Sequence, residues 1–170
     1  MSELQLNNAS VAVASQLHWL QPFIAHQPAR LLAGLTEHYS LANRGNIPSQ
    51  WQNFLEQKPQ LSPLHPNRHF GVALNADAAC NFDYFVGCEV GSFSNLAKPF
   101  VSHALQAGRA VVFPFEGHVS ELAQFIDRIW TQWLPAADLA LAGGKCIEYY
   151  SERFNLVTGQ QGMEVWLPLQ

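Results

Sequence analysis

The sequence predicts an α+β domain, in which an antiparallel sheet carries helices on one face and a ligand cleft on the other. The order strand, helix, strand, strand occurs once in each half of the 170-residue chain, with an offset of roughly 80 residues. Each half holds one amphipathic helix, which needs a sheet to cover its apolar stripe. We therefore expect a single domain over residues 1–170, made of an N-terminal extension (1–28), a first repeat (29–91), a join (92–107) and a second repeat (108–169).

The first repeat begins with a strand in "ARLLAGLTEHYSL" (29–41). A helix is expected over 46–57, because a proline lies in its first turn and its apolar residues recur with helical spacing. The segments "HFGVALN" (69–75) and "NFDYFVGCEVG" (81–91) then predict the two strands of a hairpin. Ahead of this repeat, rough helical spacing of apolar residues predicts a short helix over 4–20.

The second repeat has the same order of elements. A strand is expected in "GRAVVFPFEG" (108–117), and a helix over 118–134. The apolar stripe of this helix consists of Leu122, Phe125, Ile126, Ile129 and Trp133. The segments "KCIEYYSERF" (145–154) and "MEVWLPL" (163–169) predict a closing strand pair. We expect both helices to cover the same face of the sheet.

Composition excludes several classes of function. Hydrophobic residues make up 48% of the chain, which suits a sizeable core, whereas only 13% are charged. The 9 Lys and Arg residues are scattered and the net charge is −4, so the sequence lacks the basic face that nucleic-acid binding requires. No apolar run of about 18 residues predicts a membrane span. Cys80, Cys88 and Cys146 form no CxxC pair, which favours a reducing compartment, and we expect a cytoplasmic protein.

Motifs for metals, cofactors and nucleotides are absent from the sequence. The chain has 7 histidines and 3 cysteines but no HExxH motif and no paired CxxC, and its glycines lack phosphate-loop spacing. We therefore predict no metal, no cofactor and no catalytic residue of a known motif. Cys146 is expected to be a small buried thiol rather than a nucleophile.

One acidic residue stands in an unexpected place. Glu148 lies in the apolar and aromatic strand "CIEYY", where it either faces water at a sheet edge or supplies a negative charge to a hollow. Strand parity puts Cys146 and Tyr150 on the same face as Glu148, and Ile147 and Tyr149 on the other. If Ile147 and Tyr149 pack on the helices, Glu148 faces the helix-free side. An enclosed Glu148 should have a raised pKa, because desolvation disfavours the carboxylate.

Six segments of the chain resemble one family in their order and spacing. They are "ARLLAGL", "FDYFVGCEV", "AGRAVVFPFEG", "IWTQWLP", "CIEYY" and "VWLPL", and they cover about residues 29–169. The family is that of the GyrI-like effector-binding domains, which occur in MerR- and AraC-type multidrug regulators and, as stand-alone members, on integron gene cassettes. Fewer than 30 residues precede the first matching strand, so we expect a stand-alone member without a helix-turn-helix module. The resemblance implies that Glu148 lies at the floor of an aromatic pocket and pairs with lipophilic cations.

Strand position also singles out aromatic residues as candidates for ligand contact. The candidates on the strands are Tyr39, Phe85, Phe113, Tyr150 and Trp166, although burial in the core explains each of them equally well. Glu89 is a second strand acid that fits the rim of the pocket or a solvated position. Trp51, Phe54, Phe125 and Trp133 follow helical stripes and are expected in the core.

The expected function is binding of a hydrophobic cationic small molecule, as a sensor or sequestering module and not as an enzyme. A hydrolase of a reactive small molecule is the alternative, with Glu148 as base and Tyr149 or Tyr150 as proton donor. A gyrase-inhibitor-like interaction module is a third possibility, which would leave a protein partner to be found. Its acidic patch is not evident, because the acidic residues are dispersed along the chain.

Overall fold

A computed structural model describes residues 21–170, and the helix predicted over 4–20 lies outside the described residues. The predicted α+β class is confirmed, because a single antiparallel sheet of eight strands carries both helical segments on one face. The strands are β1 (Phe23–Gln27), β2 (Arg30–Tyr39), β3 (His69–Leu74), β4 (Phe82–Glu89), β5 (Val101–Leu105), β6 (Gly108–Phe115), β7 (Cys146–Tyr150) and β8 (Met163–Pro168).

Both predicted helices are present. Helix α1 spans Ile47–Gln57, with Pro48 in its first turn, and the single turn Arg44–Asn46 precedes it. The second helical segment, α2, consists of a 3-10 turn (Val119–Glu121), an α-helix (Leu122–Arg128), a π-helix (Ile129–Trp133) and a last turn (Leu134–Ala136). It begins with a capping box, in which the His118 side chain accepts from a backbone amide and the Glu121 side chain bonds the His118 amide.

Two strands were not predicted, and they join the repeats to each other. Strand β1 lies in the segment expected to be an extension, and β5 lies in the segment expected to be a join. The strand order is β1-β6-β8-β7-β3-β4-β2-β5. Strand β1, which leads into the first repeat, therefore pairs with β6 of the second, whereas β5 pairs with β2 of the first.

Two short connections require the sheet to curl. Strands β1 and β2 lie near opposite ends of the strand order, yet only residues 28 and 29 separate them along the chain. Residues 106 and 107 link β5 to β6 in the same way. Because two residues bridge at most about 11 Å between the flanking Cα atoms, the two ends of the sheet must approach each other. The sheet is consequently curled, with an inner face and an outer, helix-bearing face.

Each face has its own apolar packing. The inner face is filled by a cluster drawn from seven strands, namely Leu32, Phe70, Val72, Phe85, Leu105, Ala110, Val112, Ile147 and Trp166. On the helix-bearing face, α2 covers a cluster that includes Phe113, Val165 and Leu167, and α1 covers another that includes Leu35, Tyr84 and Val86. Of the five residues in the predicted stripe of α2, four are buried and Ile126 is partly buried.

Ile147 and Tyr149 do not pack against the helices, so the condition that would put Glu148 on the helix-free face is not met. Both lie on the inner face, where Tyr149 stacks on Trp166 with ring centroids 4.8 Å apart. Cys146 and Tyr150 instead join the cluster under α2, so Glu148 shares the helix-bearing face with them. The physical reason is the curl of the sheet, which buries both faces of β7.

Gly34 marks a close approach of two strands, and replacing it should destabilise the fold. A Cβ atom at this position would lie 1.9 Å from the carbonyl oxygen of Val86, an atom of the β4 backbone that cannot move alone. We expect Gly34→Ala to lower the free energy of unfolding by about 1–3 kcal/mol, as overpacking of a closed core does. Urea denaturation of the variant and of the wild type measures this difference.

Gly45→Ala is the matched control, because a Cβ atom there meets nothing within 4 Å. This variant should be as stable as the wild type or slightly more stable. Equal stability of Gly34→Ala and the wild type would show that the two strands are not as close as described.

Candidate functional site

Glu148 lies at the centre of the sheet, where the two repeats meet. It is the third residue of β7 and pairs with Gly71, the third residue of β3. Its side chain is on the helix-bearing face and is only partly exposed. The strand pairing therefore holds the carboxylate at the boundary between the repeats.

Two tyrosine hydroxyls hold the carboxylate. Tyr84 of β4 donates a hydrogen bond to Glu148 Oε2 with a length of 2.7 Å, and Tyr150 of β7 donates to the same oxygen with a length of 2.8 Å. Neither tyrosine bonds Oε1. Hydrogen bonds to an ionised acceptor are about twice as strong as neutral ones, so this arrangement fixes the orientation of the carboxylate.

Helix α1 covers this arrangement with Trp51. The indole Nε1 donates to the Tyr84 hydroxyl over 3.1 Å, and the ring lies edge-on to Tyr150 with centroids 4.8 Å apart. Trp51 also contacts the His69 ring at 6.4 Å. The acid, two phenols and an indole therefore form one connected group, which we call the Glu148 cluster (Trp51, Tyr84, Glu148 and Tyr150).

Gly71 provides the space for this cluster. A Cβ atom at position 71 would lie 2.2 Å from the Tyr84 hydroxyl oxygen and 2.9 Å from Glu148 Oε2. The bond between these two side chains passes over the β3 backbone, and only glycine leaves room for it.

The helix α2 approaches the cluster from the other side. Its π-helical segment includes Trp130, which is partly buried and forms a hydrogen bond with the thiol of Cys146, two residues before Glu148. An indole from each helix thus lies near β7. Short π-helical segments are frequent at functional sites.

Burial determines the protonation of the cluster. Desolvation raises the pKa of Glu148, which confirms the expected direction, and the hydrogen bonds from Tyr84 and Tyr150 partly oppose it. Burial, and next the charge of Glu148, raise the pKa of both tyrosines well above the usual value, so both stay protonated donors. Burial also raises the pKa of the Cys146 thiol, which remains neutral.

Glu148 has no cationic partner among residues 21–170. The ion pairs of this part of the chain involve other acids, such as Glu89 with Arg30 and Glu152 with Arg68. Lys58 bonds His69 Nε2 at 2.8 Å and the carbonyl oxygen of Pro66. The desolvated acid is therefore balanced only by neutral hydrogen-bond donors.

The structure divides the predicted ligand contacts between different places. It brings Tyr150 to Glu148, and it puts Tyr39 beside Tyr84 with ring centroids 6.4 Å apart. Phe113 lies under α2, edge-on to Trp133. Phe85 and Trp166 are on the inner face, so they cannot line one cleft with Glu148.

Glu89 is also on the inner face, with its nearest carboxylate oxygen 3.8 Å from Arg30 Nη1. Sequence reasoning assigned Trp51 to the core and did not single out Tyr84 or Gly71. A tyrosine on a strand, a tryptophan on an apolar stripe and a strand glycine give no separate signal of a site.

A hollow of about 360 Å³ adjoins the cluster. His69 and Phe154 are among its lining residues, and they contact Trp51 and Tyr150 respectively. Within the described residues, no three His, Cys, Asp or Glu side chains are grouped so as to hold a metal ion. No helix in residues 21–170 is long and apolar enough to cross a membrane.

Comparison with known proteins identifies the class of this domain. The chain belongs to the GyrI-like small molecule binding domain family, whose model matches residues 20–170. The transcriptional regulator BrlR of Pseudomonas aeruginosa is 24% identical over 148 residues, which are 84% of this chain and 54% of the regulator. The chain thus spans about half the length of this relative.

Solved structures share the fold at low sequence identity. SAV2435, solved with bound tetraphenylphosphonium, has a TM-score of 0.71 and 15% identity, with coverage of 88% of this chain and 94% of that one. The integron cassette protein VCH_CASS2 of Vibrio cholerae has a TM-score of 0.64 and 17% identity, with coverage of 89% and 97%. The resemblance to GyrI-like domains, including an integron cassette member, is confirmed.

Replacing Gly71 tests how the acid is held. We expect Gly71→Ala to push the Tyr84 hydroxyl away from Glu148, which removes a donor and raises the pKa of Glu148 further. Overpacking should also lower the free energy of unfolding by about 1–3 kcal/mol. Titration of the ¹³C-labelled glutamate carboxyl by NMR measures the pKa, and urea denaturation measures the stability.

Gly108→Ala serves as the control, since it is also a strand glycine but a Cβ atom there meets nothing within 4 Å. It should leave the Glu148 titration unchanged. An unchanged Glu148 pKa in Gly71→Ala would refute the role given to the glycine.

Proposed function

We propose that this chain binds hydrophobic organic cations at Glu148, as a sensor or a sequestering module. The observation that carries the proposal is a desolvated carboxylate with no cationic partner in the described chain, held by two phenols and covered by an indole. Burying a charge is unfavourable unless the charge is paired. A ligand that brings a positive charge would supply the missing partner.

The chemistry of the cluster favours a particular kind of cation. Glu148 Oε1, which neither tyrosine bonds, is the oxygen available to a ligand. Aromatic faces contribute about 0.5–2 kcal/mol each to the binding of a cation, most of all where water is excluded. Trp51, Tyr84 and Tyr150 offer such faces, so a delocalised, lipophilic cation fits better than a small hydrated ion.

The adjoining hollow lies next to the Trp51 and Tyr150 side of the cluster. His69 and Phe154 continue the aromatic contacts from the cluster to the hollow. We propose that a ligand enters on this side and displaces Trp51 from Tyr150. Trp51 donates one hydrogen bond of 3.1 Å to Tyr84, and contacts with the ligand can replace it.

The comparisons support the ligand class without fixing the ligand. SAV2435 has the same fold and its structure contains tetraphenylphosphonium, a lipophilic cation. BrlR is a transcriptional regulator, and regulation through a small molecule is a role that this domain could serve. Nothing separate favours hydrolysis, because the hydroxyls that would act as proton donors already bond the carboxylate that would act as base.

Removing the charge of Glu148 should abolish selectivity for cations. We expect Glu148→Gln to bind tetraphenylphosphonium at least about tenfold more weakly than the wild type, since loss of one member of a desolvated charge pair typically costs about 2–5 kcal/mol. Isothermal titration calorimetry at neutral pH measures both affinities. A neutral ligand of similar shape, such as tetraphenylmethane with a solubilising group, should bind both proteins weakly and alike.

Glu116→Gln is the matched control, because Glu116 is exposed and lies outside the cluster. It removes the same charge and should not change the affinity. The wild-type affinity should also begin to fall at a higher pH than the usual glutamate pKa of 4.5, because the raised pKa allows Glu148 to take up a proton earlier. Equal binding by the wild type and Glu148→Gln at every pH would end the proposal.

Without ligand, the acid should lower the stability of the protein near neutral pH. Because the pKa of Glu148 is higher in the folded chain than in the unfolded chain, the folded state loses stability as the pH rises through the folded pKa. Glu148→Gln keeps the shape and avoids this loss. We therefore expect the variant to be more stable than the wild type at pH 7, with the difference shrinking as the pH falls towards the usual glutamate pKa.

Urea denaturation at several pH values between 4 and 8 (about the range in which glutamate and histidine groups titrate) measures this difference. Glu116→Gln should show no comparable trend. If the stability of Glu148→Gln relative to the wild type rose as the pH fell, the fold would stabilise the carboxylate instead of destabilising it.

A further inference from the structure

Two of the buried polar atoms that lack a hydrogen-bond partner lie on the inner face, away from Glu148. They are Arg30 Nε and His103 Nε2. In the pairing of β2 with β5, Arg30 is opposite Leu105 and His103 is opposite Leu32. Arg30 and His103 are therefore diagonal neighbours on one face, about 7–8 Å apart across the two strands, within reach of a shared small ligand.

The guanidinium of Arg30 is held mainly by aromatic rings. Its Cζ atom lies 5.8 Å from the centroid of Phe70 and 5.7 Å from that of Trp166. Its nearest acid is Glu89, whose Oε2 is 3.8 Å from Nη1, too far for a hydrogen bond. The side chain is 16% exposed, so part of the guanidinium reaches the rim of the inner face.

His103 offers a second donor. Its ring packs on Phe85 with centroids 5.5 Å apart. Burial, and next the charge of Lys145, lower the pKa of His103, so the ring is neutral near pH 7 and one nitrogen carries a proton. An acceptor near Nε2 would select the tautomer that donates from this atom.

The fold does not require this polar pair. Strands β1 and β5 begin 78 residues apart, as do β2 and β6, so the second repeat offers a comparison for each position. The counterpart of Arg30 is Gly108 of β6, in the second repeat, and the counterpart of His103 is Ala25 of β1, which pairs with β6. An unpaired buried donor is unfavourable, and among the described residues the pairing of β1 with β6 leaves no buried side-chain donor without a partner.

We propose that the inner face holds a second site, which binds the carboxylate of a small organic anion between Arg30 and His103. Arg30 turns its Nε edge towards the carboxylate and forms paired hydrogen bonds, a geometry that guanidinium and carboxylate groups favour. His103 Nε2 donates to the same group. Sequence analysis singled out Phe85 and Trp166 as ligand contacts, and both line this site.

Nearby acids limit which anions fit. Glu89 remains beside Nη1, and Glu164 accepts a hydrogen bond of 2.6 Å from Trp166 Nε1. Their charges oppose a ligand with several negative charges, whereas Lys145 favours an anion. A compact monocarboxylate is therefore the expected ligand. The site is on the opposite face from Glu148 and does not depend on the function proposed for that residue.

The test observes Arg30 directly. Arginine Nε–Hε signals of the ¹⁵N-labelled wild-type protein are followed by NMR during titration with acetate or benzoate, at constant ionic strength. We expect a saturable shift of the Arg30 signal with both carboxylates, and none with acetamide, benzamide or chloride. Arg30→Gln should weaken benzoate binding by at least about tenfold, as expected when a charged donor to a carboxylate is lost.

Two further variants complete the test. Arg30→Lys keeps the positive charge without the Nε donor, and should also bind more weakly. Arg109→Gln removes an exposed arginine of β6 and should bind benzoate as the wild type does. Saturating tetraphenylphosphonium should leave the Arg30 titration unchanged. The proposal is overturned if the Arg30 signal does not move, if amides or chloride move it equally, or if Arg30→Gln retains its affinity for benzoate.

Discussion

Two connections of two residues each constrain the whole molecule. Because they join strands from opposite ends of the sheet, the eight strands cannot lie open, and one face becomes an interior. The helices then have only the outer face to cover. Glu148, in the middle of β7, is consequently enclosed between the sheet and the helices. In a flat sheet, one face of this strand would be exposed.

Most of the fold could be predicted because its elements carry strong local patterns. Six strands and both helices have apolar or aromatic runs with clear periodicity, and their order repeats. Strands β1 and β5 were missed because they are short edge strands in which exposed residues predominate or alternate with partly buried ones. Their only signal is positional, since each precedes a predicted strand of its repeat by two residues.

The site was predicted in part, and the reasons differ from residue to residue. Glu148 was found because an acid in an apolar strand is unusual. Its face was left conditional because parity separates two faces without telling which one the helices cover, and here both are buried. Tyr84 and Trp51 were missed because their rings belong to the apolar packing. Of the two, only Tyr84 bonds the acid, through its hydroxyl, and the Trp51 indole nitrogen bonds that hydroxyl.

The two repeats are nearly symmetric in their order of strands, and the charged residues of the two proposed sites lie at positions where the repeats differ in sequence. Glu148 lies opposite Gly71, and the counterpart of Arg30 is Gly108. Each proposed site therefore depends on one repeat for its charge and on the other for its space or its covering side chains. Neither half of the sequence carries either proposed site in full.

Gly71 and Glu148 are counterparts that pair with each other, so they lie on the approximate two-fold axis of the domain. Only at such an axis does a residue meet its own copy. If the second half assembled with itself, two carboxylates would stand directly opposite each other and repel, whereas two copies of the first half would bring no carboxylate at all. The halves are thus complementary parts and not interchangeable ones, and separately produced fragments would regain this site only by combining as a heterodimer.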